Sequence, residues 1–277
     1  MTYVAMTVAG SDSGGGAGIQ ADLKTFQELG VFGTSALTAV TAQNTLGVHG
    51  VYPIEAAGVT AQMRAVLDDF NVGAVKTGML FSADIIQAVA ETLQSYGSPT
   101  LIIDPVMIAK GGASLLLEEA VHALKTFLLP MACVITPNIP EAEVLAGMTI
   151  ETDRDVEEAA NRILQLGPGA VVMKGGHRPG ASYAEDLLLS ADGDRLAIRS
   201  EWIHTKDTHG TGCTFSAAIT AQIAQGKTIA EAVVDAKQYI QAAIVDGLNL
   251  GAGHGPTNHW AYGRLSNEAR KEVVFID

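Results

Sequence analysis

The chain has 277 residues, 48% hydrophobic and only 5% aromatic, with 30 glycines and a formal net charge of −13 at pH 7. That length suits one large α/β domain or two small ones, and the composition suits a buried parallel sheet with many tight turns. The acidic balance argues against a basic face for a nucleic-acid backbone, while leaving room for an anionic nucleotide held by helix starts and single lysines. Cys133 and Cys213 lie far apart and read as unpaired, which points to a reducing compartment. The opening Met-Thr-Tyr-Val-Ala-Met lacks a basic n-region, and no apolar run approaches roughly eighteen residues. The expectation is a soluble cytoplasmic protein with neither membrane nor nucleic acid as partner.

A strand over residues 3–9 opens onto a loop from Gly10 to Gly18. That loop does not match G-x-G-x-x-G, because Ile19 stands where the last glycine belongs, and a dinucleotide fold is disfavoured. Ile19, Leu23 and Phe26 then mark one helix face, closed by Gly30. A strand over 34–42, with a small excursion from Val48 to Ile54, precedes helix 55–69 and strand 72–76. Helix 82–95 starts at Ser82 and turns Ile85, Ile86, Val89 and Leu93 inward. Leu101–Asp104 is an apolar strand ending in a carboxylate, followed by helix 117–128, strand 132–136 and helix 140–146.

Thr152-x-x-Asp155 is a capping box for helix 153–166. Strand 170–174 runs onto Gly175-Gly176. Residues 184–190 and 195–203, joined through Asp192-Gly193, form a late antiparallel hairpin at the sheet edge. Helices near 212–225 and 229–247 close the chain, the second capped by Thr228-x-x-Glu231. Gly226-Lys227-Thr228 imitates the end of a P-loop, but Ala221 replaces the leading glycine and the stretch joins two helices, so it reads as a turn. With no linker and no repeat, the alternation predicts a single α/β domain over 1–277. Its doubly wound, mostly parallel sheet carries helices on both faces.

In such sheets ligands bind beyond the carboxyl ends of the strands. Lys76-Thr77-Gly78, Asp104, Asn138 and Lys174-Gly175-Gly176 all fall there. Residues 207–218, Asp-Thr-His-Gly-Thr-Gly-Cys-Thr-Phe-Ser-Ala-Ala, read as a loop entering a buried helix, whose free N–H groups and dipole make an anion site. Cys213 at that positive end is expected to lose its proton more easily than in water and to accept one from an attacking hydroxyl; a buried cysteine behind a helix cap is the alternative. Asp104, with Asn138 and Glu141, could supply oxygens to Mg²⁺, although Glu141 alone reads as a first-turn acid after Pro140. Lys174 could meet a transferring phosphate or simply reach solvent. Gln43 offers an amide that both donates and accepts, as an aminopyrimidine edge requires, or it is an exposed glutamine beside the turn residue Asn44. Met79 could pack on a flat ring or in the core. Asp22 alone reads as a solvated carboxylate near a helix start. His177, His209 and His254 lack metal-ligand spacing, and residues 109–113 read as a flap or a plain loop.

Taken together, residues 10–22 (GSDSGGGAGIQAD), Thr41–Gly47, Lys76–Met79, Asp104–Val106, Thr136–Glu141, Lys174–His177 and Thr208–Cys213 resemble the hydroxymethylpyrimidine/phosphomethylpyrimidine kinase family of thiamine biosynthesis, within the ribokinase superfamily. The resemblance runs from about residue 3 to about residue 260 without departure at these positions. The tail near 262–277 lies outside it. It implies a ribokinase-like fold, ATP and Mg²⁺ as cofactors, and a small pyrimidine as substrate. Two successive phosphorylations of 4-amino-5-hydroxymethyl-2-methylpyrimidine would follow at one site, in a homodimer. By motif match Cys213 would be the base and the amides of Gly210, Thr211, Gly212 and Cys213 the anion hole for the ATP phosphates. Lys174 would contact the transferring phosphate, and Asp104 and Glu141, with Asn138 a further candidate, would organise Mg²⁺. Gln43 would read the pyrimidine, in a pocket shaped by Gly10, Asp22, Met79 and Val106. A pyridoxal or pyridoxine kinase of the same family is the competing reading, and a non-catalytic sensor of vitamin precursors a third.

Overall fold

A computed structural model of the chain describes residues 2–107, 118–175, 183–266, 269 and 275–276. The first half comprises β1 (Val4–Asp12), α1 (Gly18–Glu28), β2 (Phe32–Asn44), β3 (Gly47–Pro53), α2 (Ala56–Leu67), β4 (Ala74–Thr77), α3 (Ala83–Ser95), β5 (Leu101–Ile103) and α4 (Glu118–Ala123). It continues with β6 (Ala132–Ile135), α5 (Ile139–Ala146), α6 (Asp153–Leu164), β7 (Ala170–Lys174), β8 (Tyr183–Ser190), β9 (Arg195–Glu201), α7 (Thr211–Ala224), α8 (Ile229–Val245), α9 (Ala261–Arg264) and β10 (Phe275–Ile276).

The ten strands of the described residues join one sheet in the order β10-β9-β8-β7-β6-β5-β4-β1-β2-β3. Strands β2, β1, β4, β5, β6 and β7 run parallel. Their sequences are apolar almost without interruption because both faces are covered. One face packs Val59, Met63, Ile86, Leu93 and Ile163 from α2, α3 and α6 against Val75, Leu101, Ile103 and Val171. The other packs Phe215, Ile219, Val233 and Tyr239 from α7 and α8 against Ile102, Val134 and Val172, with Phe26 of α1 beside Ala217 and Ala221. The expected doubly wound architecture is therefore observed. The chain starts inside the sheet, third from the β3 edge, builds outward through β2 and β3, then crosses back to β4 on the far side of β1. That reversal leaves a crevice above the carboxyl ends of β1 and β4.

The local signals that the sequence carries act as expected. Ser82 caps α3, and Thr152–Asp155 and Thr228–Glu231 are complete capping boxes. Gly226 turns the chain between α7 and α8, so the P-loop mimic is a helix-to-helix turn. Four features differ from the sequence reading. Strand β1 continues past Gly10 to Asp12: the register slips there and Asp12 pairs with Thr41, which shortens the first loop to residues 13–17. The small excursion is a full antiparallel strand, β3, closing the edge opposite the late hairpin. The helix expected over 117–128 loosens into a π turn at Leu124–Leu128 and a 3₁₀ turn at Leu129–Met131, because Pro130 cannot donate to an α-helical ladder. The tail returns to the sheet, with β10 antiparallel to β9. None of the described helices is long and apolar enough to cross a membrane.

His259 is buried behind α7, with Nε2 3.1 Å from the Thr214 hydroxyl. Burial, helped by Lys24, depresses its pKa to about 4. The unfolded chain binds this proton near 6.5, so the neutral imidazole's stabilisation is complete above 6.5 and lost as pH falls toward 4, a difference of roughly 3 kcal/mol. Urea unfolding at pH 7.5 and pH 4.5 should show this loss, and His259→Gln should flatten it.

Candidate active site

The crevice above β1 and β4 is a cleft of about 790 Å³. It reaches from Val48, Val51 and Met79 on the β2–β3 side to Trp202, Ile240 and Ile244 on the β9–α8 side. Its middle is the start of α7. Gly210 caps this helix with φ +81° and ψ 8°, a left-handed conformation that glycine adopts without strain. The position also admits no side chain, since a Cβ there would fall 1.7 Å from the Gly16 carbonyl oxygen. Thr211, Gly212 and Cys213 follow in the first turn, whose N–H groups have no intrahelical partner and carry the positive end of the dipole. All four residues line the cleft.

Lys174, Asp104 and Glu141 meet opposite that turn. Lys174 Nζ is 3.0 Å from Asp104 Oδ1 and 3.9 Å from Glu141 Oε2. A Cβ on Gly212 would fall 3.3 Å from Lys174 Nζ and 3.8 Å from Asp104 Oδ2. Strand ends β5 and β7 deliver Asp104 and Lys174. Glu141 comes from the first turn of α5, where Asn138 and Glu141 also form a complete capping box. The helix-start acid and the cleft acid are thus one residue. Burial opposes the charge on both Asp104 and Lys174. Lys174 and Lys76 together outweigh it for Asp104, and Asp104 and Glu141 together for Lys174, so Asp104 stays below the usual carboxylate range and Lys174 above the usual lysine range. Glu141 is pushed up to about 7 by burial, reinforced by Asp104 and opposed by Lys174.

Asp22 and Cys213 depart from the sequence reading. Asp22 is neither solvated nor part of the cleft wall. It is fully buried beneath the cleft, 2.9 Å from Lys76 Nζ, and it accepts a hydrogen bond from Thr7. The helix face it occupies turns onto β1 and β4, so it supports the floor through Lys76, which does line the cleft. Burial works against the Lys76 charge, but Asp22, Cys213 and Asp104 together hold it above the usual range. The Cys213 thiol was expected to ionise easily. Burial instead pushes it up to about 12; Lys76 opposes this, while Asp104 and Asp22 reinforce it. Desolvation and two carboxylates outweigh Lys76, and the thiol keeps its proton.

Gly10, Gln43, Met79 and Val106 line the cleft together, with Met79 Cε folded onto Gly10, where a Cβ would meet it at 2.4 Å. Two further residues here escaped the sequence reading. Asp12 accepts from the N–H groups of Gly14, Gly16 and Ala17, and its Oδ2 is 2.9 Å from His209 Nε2. His209 also touches Gln43. The only signal for either was position, Asp12 in the first glycine loop and His209 inside the anion loop. Gly176, His177 and the 109–113 segment lie outside the described residues.

The profile of the family described as Phosphomethylpyrimidine kinase matches residues 12–258. Over 265 residues the chain is 54% identical to the hydroxymethylpyrimidine/phosphomethylpyrimidine kinase of Bacillus subtilis (strain 168), covering 95% of this chain and 97% of that protein. The protein of the same name from Haemophilus influenzae is 55% identical over 262 residues, covering 94% and 97%. The solved structure of the pyridoxal kinase from Staphylococcus aureus in complex with AMP-PCP and pyridoxal matches with a TM-score of 0.88 at 33% identity, covering 100% of this chain and 99% of that one.

The buried pair under the floor gives a stability test. Lys76→Met strands the Asp22 carboxylate in the core and should cost about 3–5 kcal/mol in urea unfolding. Adding Asp22→Asn should restore part of that loss.

Proposed function

The chain belongs to the phosphomethylpyrimidine kinase family, and on that premise we propose that its cleft phosphorylates 4-amino-5-hydroxymethyl-2-methylpyrimidine with ATP, first to the monophosphate and then to the diphosphate, for thiamine biosynthesis. The observation that carries this reading is the meeting of Lys174, Asp104 and Glu141 with the first turn of α7 in one cleft. Phosphoryl transfer needs chiefly in-line positioning and stabilisation of charge, and these groups supply both.

The N–H groups of residues 210–213 receive the phosphate oxygens of ATP. Lys174 carries its charge to the phosphoryl group in transit. Asp104 and Glu141, with Asn138 behind them, are the groups that would hold Mg²⁺. The fit rests on Asp104 Oδ2, which is buried without a hydrogen-bond partner. Two carboxylates suit an ion that keeps several waters and takes its other ligands from substrate phosphates. Among the described residues there is no larger cluster of His, Cys, Asp and Glu able to enclose a metal. Once bound, the ion neutralises charge on the phosphates. Gln43 reads the pyrimidine edge, while Gly10, Met79 and Val106 bound its ring. Asp22 contributes from below, by holding Lys76.

Cys213 is the base for the hydroxymethyl proton. Burial favours the thiol, so Cys213 first gives its proton to solvent, and Lys76 and the α7 start favour the thiolate that then takes the hydroxyl proton. The whole chain acts as one kinase unit in the cytoplasm, where ATP is available. A homodimer is supported by the exposed Val40, Leu46 and Tyr52 of the β2–β3 edge.

The pyridoxal kinase similarity favours a second reading, in which the substrate offers a phenolic hydroxyl and a ring nitrogen. An ADP-release assay with both compounds tests the assignment. Turnover of the aminopyrimidine alcohol should exceed that of pyridoxal by at least tenfold in kcat/KM, and the reverse order would transfer the assignment to pyridoxal. The two steps also separate the role of Cys213. The second nucleophile is a phosphate oxygen already largely ionised at neutrality, its pKa being about 6. Cys213→Ser should therefore slow the first phosphorylation about 10²-fold or more and the second far less. Equal losses in separately measured rates would rule out a base.

A further inference from the structure

Gln43 stands between two partners whose own neighbours dictate what they can offer it. Its Nε2 lies 3.2 Å from His209 Nε2 and its Oε1 3.2 Å from Thr41 Oγ1. His209 Nε2 is also 2.9 Å from Asp12 Oδ2. Asp12 already accepts three backbone N–H groups, as an ionised, acceptor-only carboxylate does. The ring nitrogen facing it must therefore carry a proton. Toward Gln43 the protonated nitrogen has no in-plane lone pair, so an amide N–H there finds no acceptor, whereas an oxygen can share the proton with Asp12.

At the other end, Thr41 has a single hydroxyl proton, and the Ser11 carbonyl takes it at 2.8 Å. Only lone pairs remain for Gln43, and these call for an N–H. The rotamer with nitrogen on His209 and oxygen on Thr41 thus sets donor against donor and acceptor against acceptor. A half-turn of the terminal amide, which exchanges O and N within nearly the same shape, satisfies both ends.

We propose that the Asp12–His209 pair and Thr41 lock the Gln43 amide with Oε1 on His209 and Nε2 on Thr41, so that these positioning residues set the polarity with which the site reads its substrate. The lock rests on geometry alone; the identity of the substrate rests on the kinase reading above. A ring edge meeting this amide must place an acceptor toward Thr41 and a donor toward His209. A ring nitrogen beside an exocyclic amine does so. A 4-oxopyrimidine, with a ring N–H beside a carbonyl, presents the reverse order and leaves polar groups mismatched.

Two measurements test the lock. Nitrogen NMR of the free protein, with labelled histidine and glutamine, should find the His209 proton on Nε2. A bare Nε2 would overturn the proposal, whatever the enzyme turns over. Calorimetry should then give at least a tenfold higher Kd for the 4-oxo analogue than for the 4-amino alcohol. Thr41→Val, which removes the acceptor and leaves only His209 to hold the amide, should lower that ratio, and Thr41→Ser should restore it. A ratio unchanged in Thr41→Val, with both ligands weakened alike, would show a merely structural hydroxyl and overturn the lock. If neither the aminopyrimidine nor pyridoxal yields ADP, the kinase reading fails, and the NMR result still decides the amide.

Discussion

One carboxylate holds the two loops of the site together. Asp12 gathers the N–H groups of Gly14, Gly16 and Ala17 with its own oxygens and takes His209 from a loop almost two hundred residues away. The first loop is thereby clamped against the entry to α7, where the absent side chain of Gly210 lets the Gly16 carbonyl approach. Burial alone would raise the Asp12 pKa, but these donors outweigh it and keep the carboxyl below its usual range. A charged acceptor saturated with donors is among the stronger links a loop can have. The cleft walls derive their spacing from it.

Charge inside the cleft follows from the cost of desolvation. Asp22, Lys76, Asp104, Lys174 and Glu141 have left most of their water, and each is tolerated because an opposite charge lies beside it. Lysines and carboxylates alternate from under β1 and β4 to the start of α5. A thiol set among these groups is not made acidic simply by standing at a helix start. Burial, reinforced by Asp104 and Asp22 against Lys76, favours the proton.

Strand ends and helix caps were legible in the sequence because their signals are local. An apolar run that stops at Asp104 or Lys174, a glycine-rich entry to an Ala-rich helix, and a Thr-x-x-Asp box each need only a few adjacent residues. The parallel sheet then brings those ends to one rim, which is why the sequence alone groups Asp104, Asn138, Glu141, Lys174 and residues 210–213. Asp22 was misjudged because one carboxylate in a helix looks solvated until the face it occupies is known to meet β4. Asp12 and His209 were missed because neither has a pattern of its own, and their link spans 197 positions.

The sequence by itself determined the alternation of strands and helices and the set of residues at the strand ends, since periodicity and capping act over one or two turns. Tertiary structure decided which of those residues share a field and which share a hydrogen bond. Ionisation of Cys213, burial of Asp22 and the polarity demanded of Gln43 all depend on neighbours brought from distant segments. Coulomb interaction and desolvation act through space, and no local pattern records them.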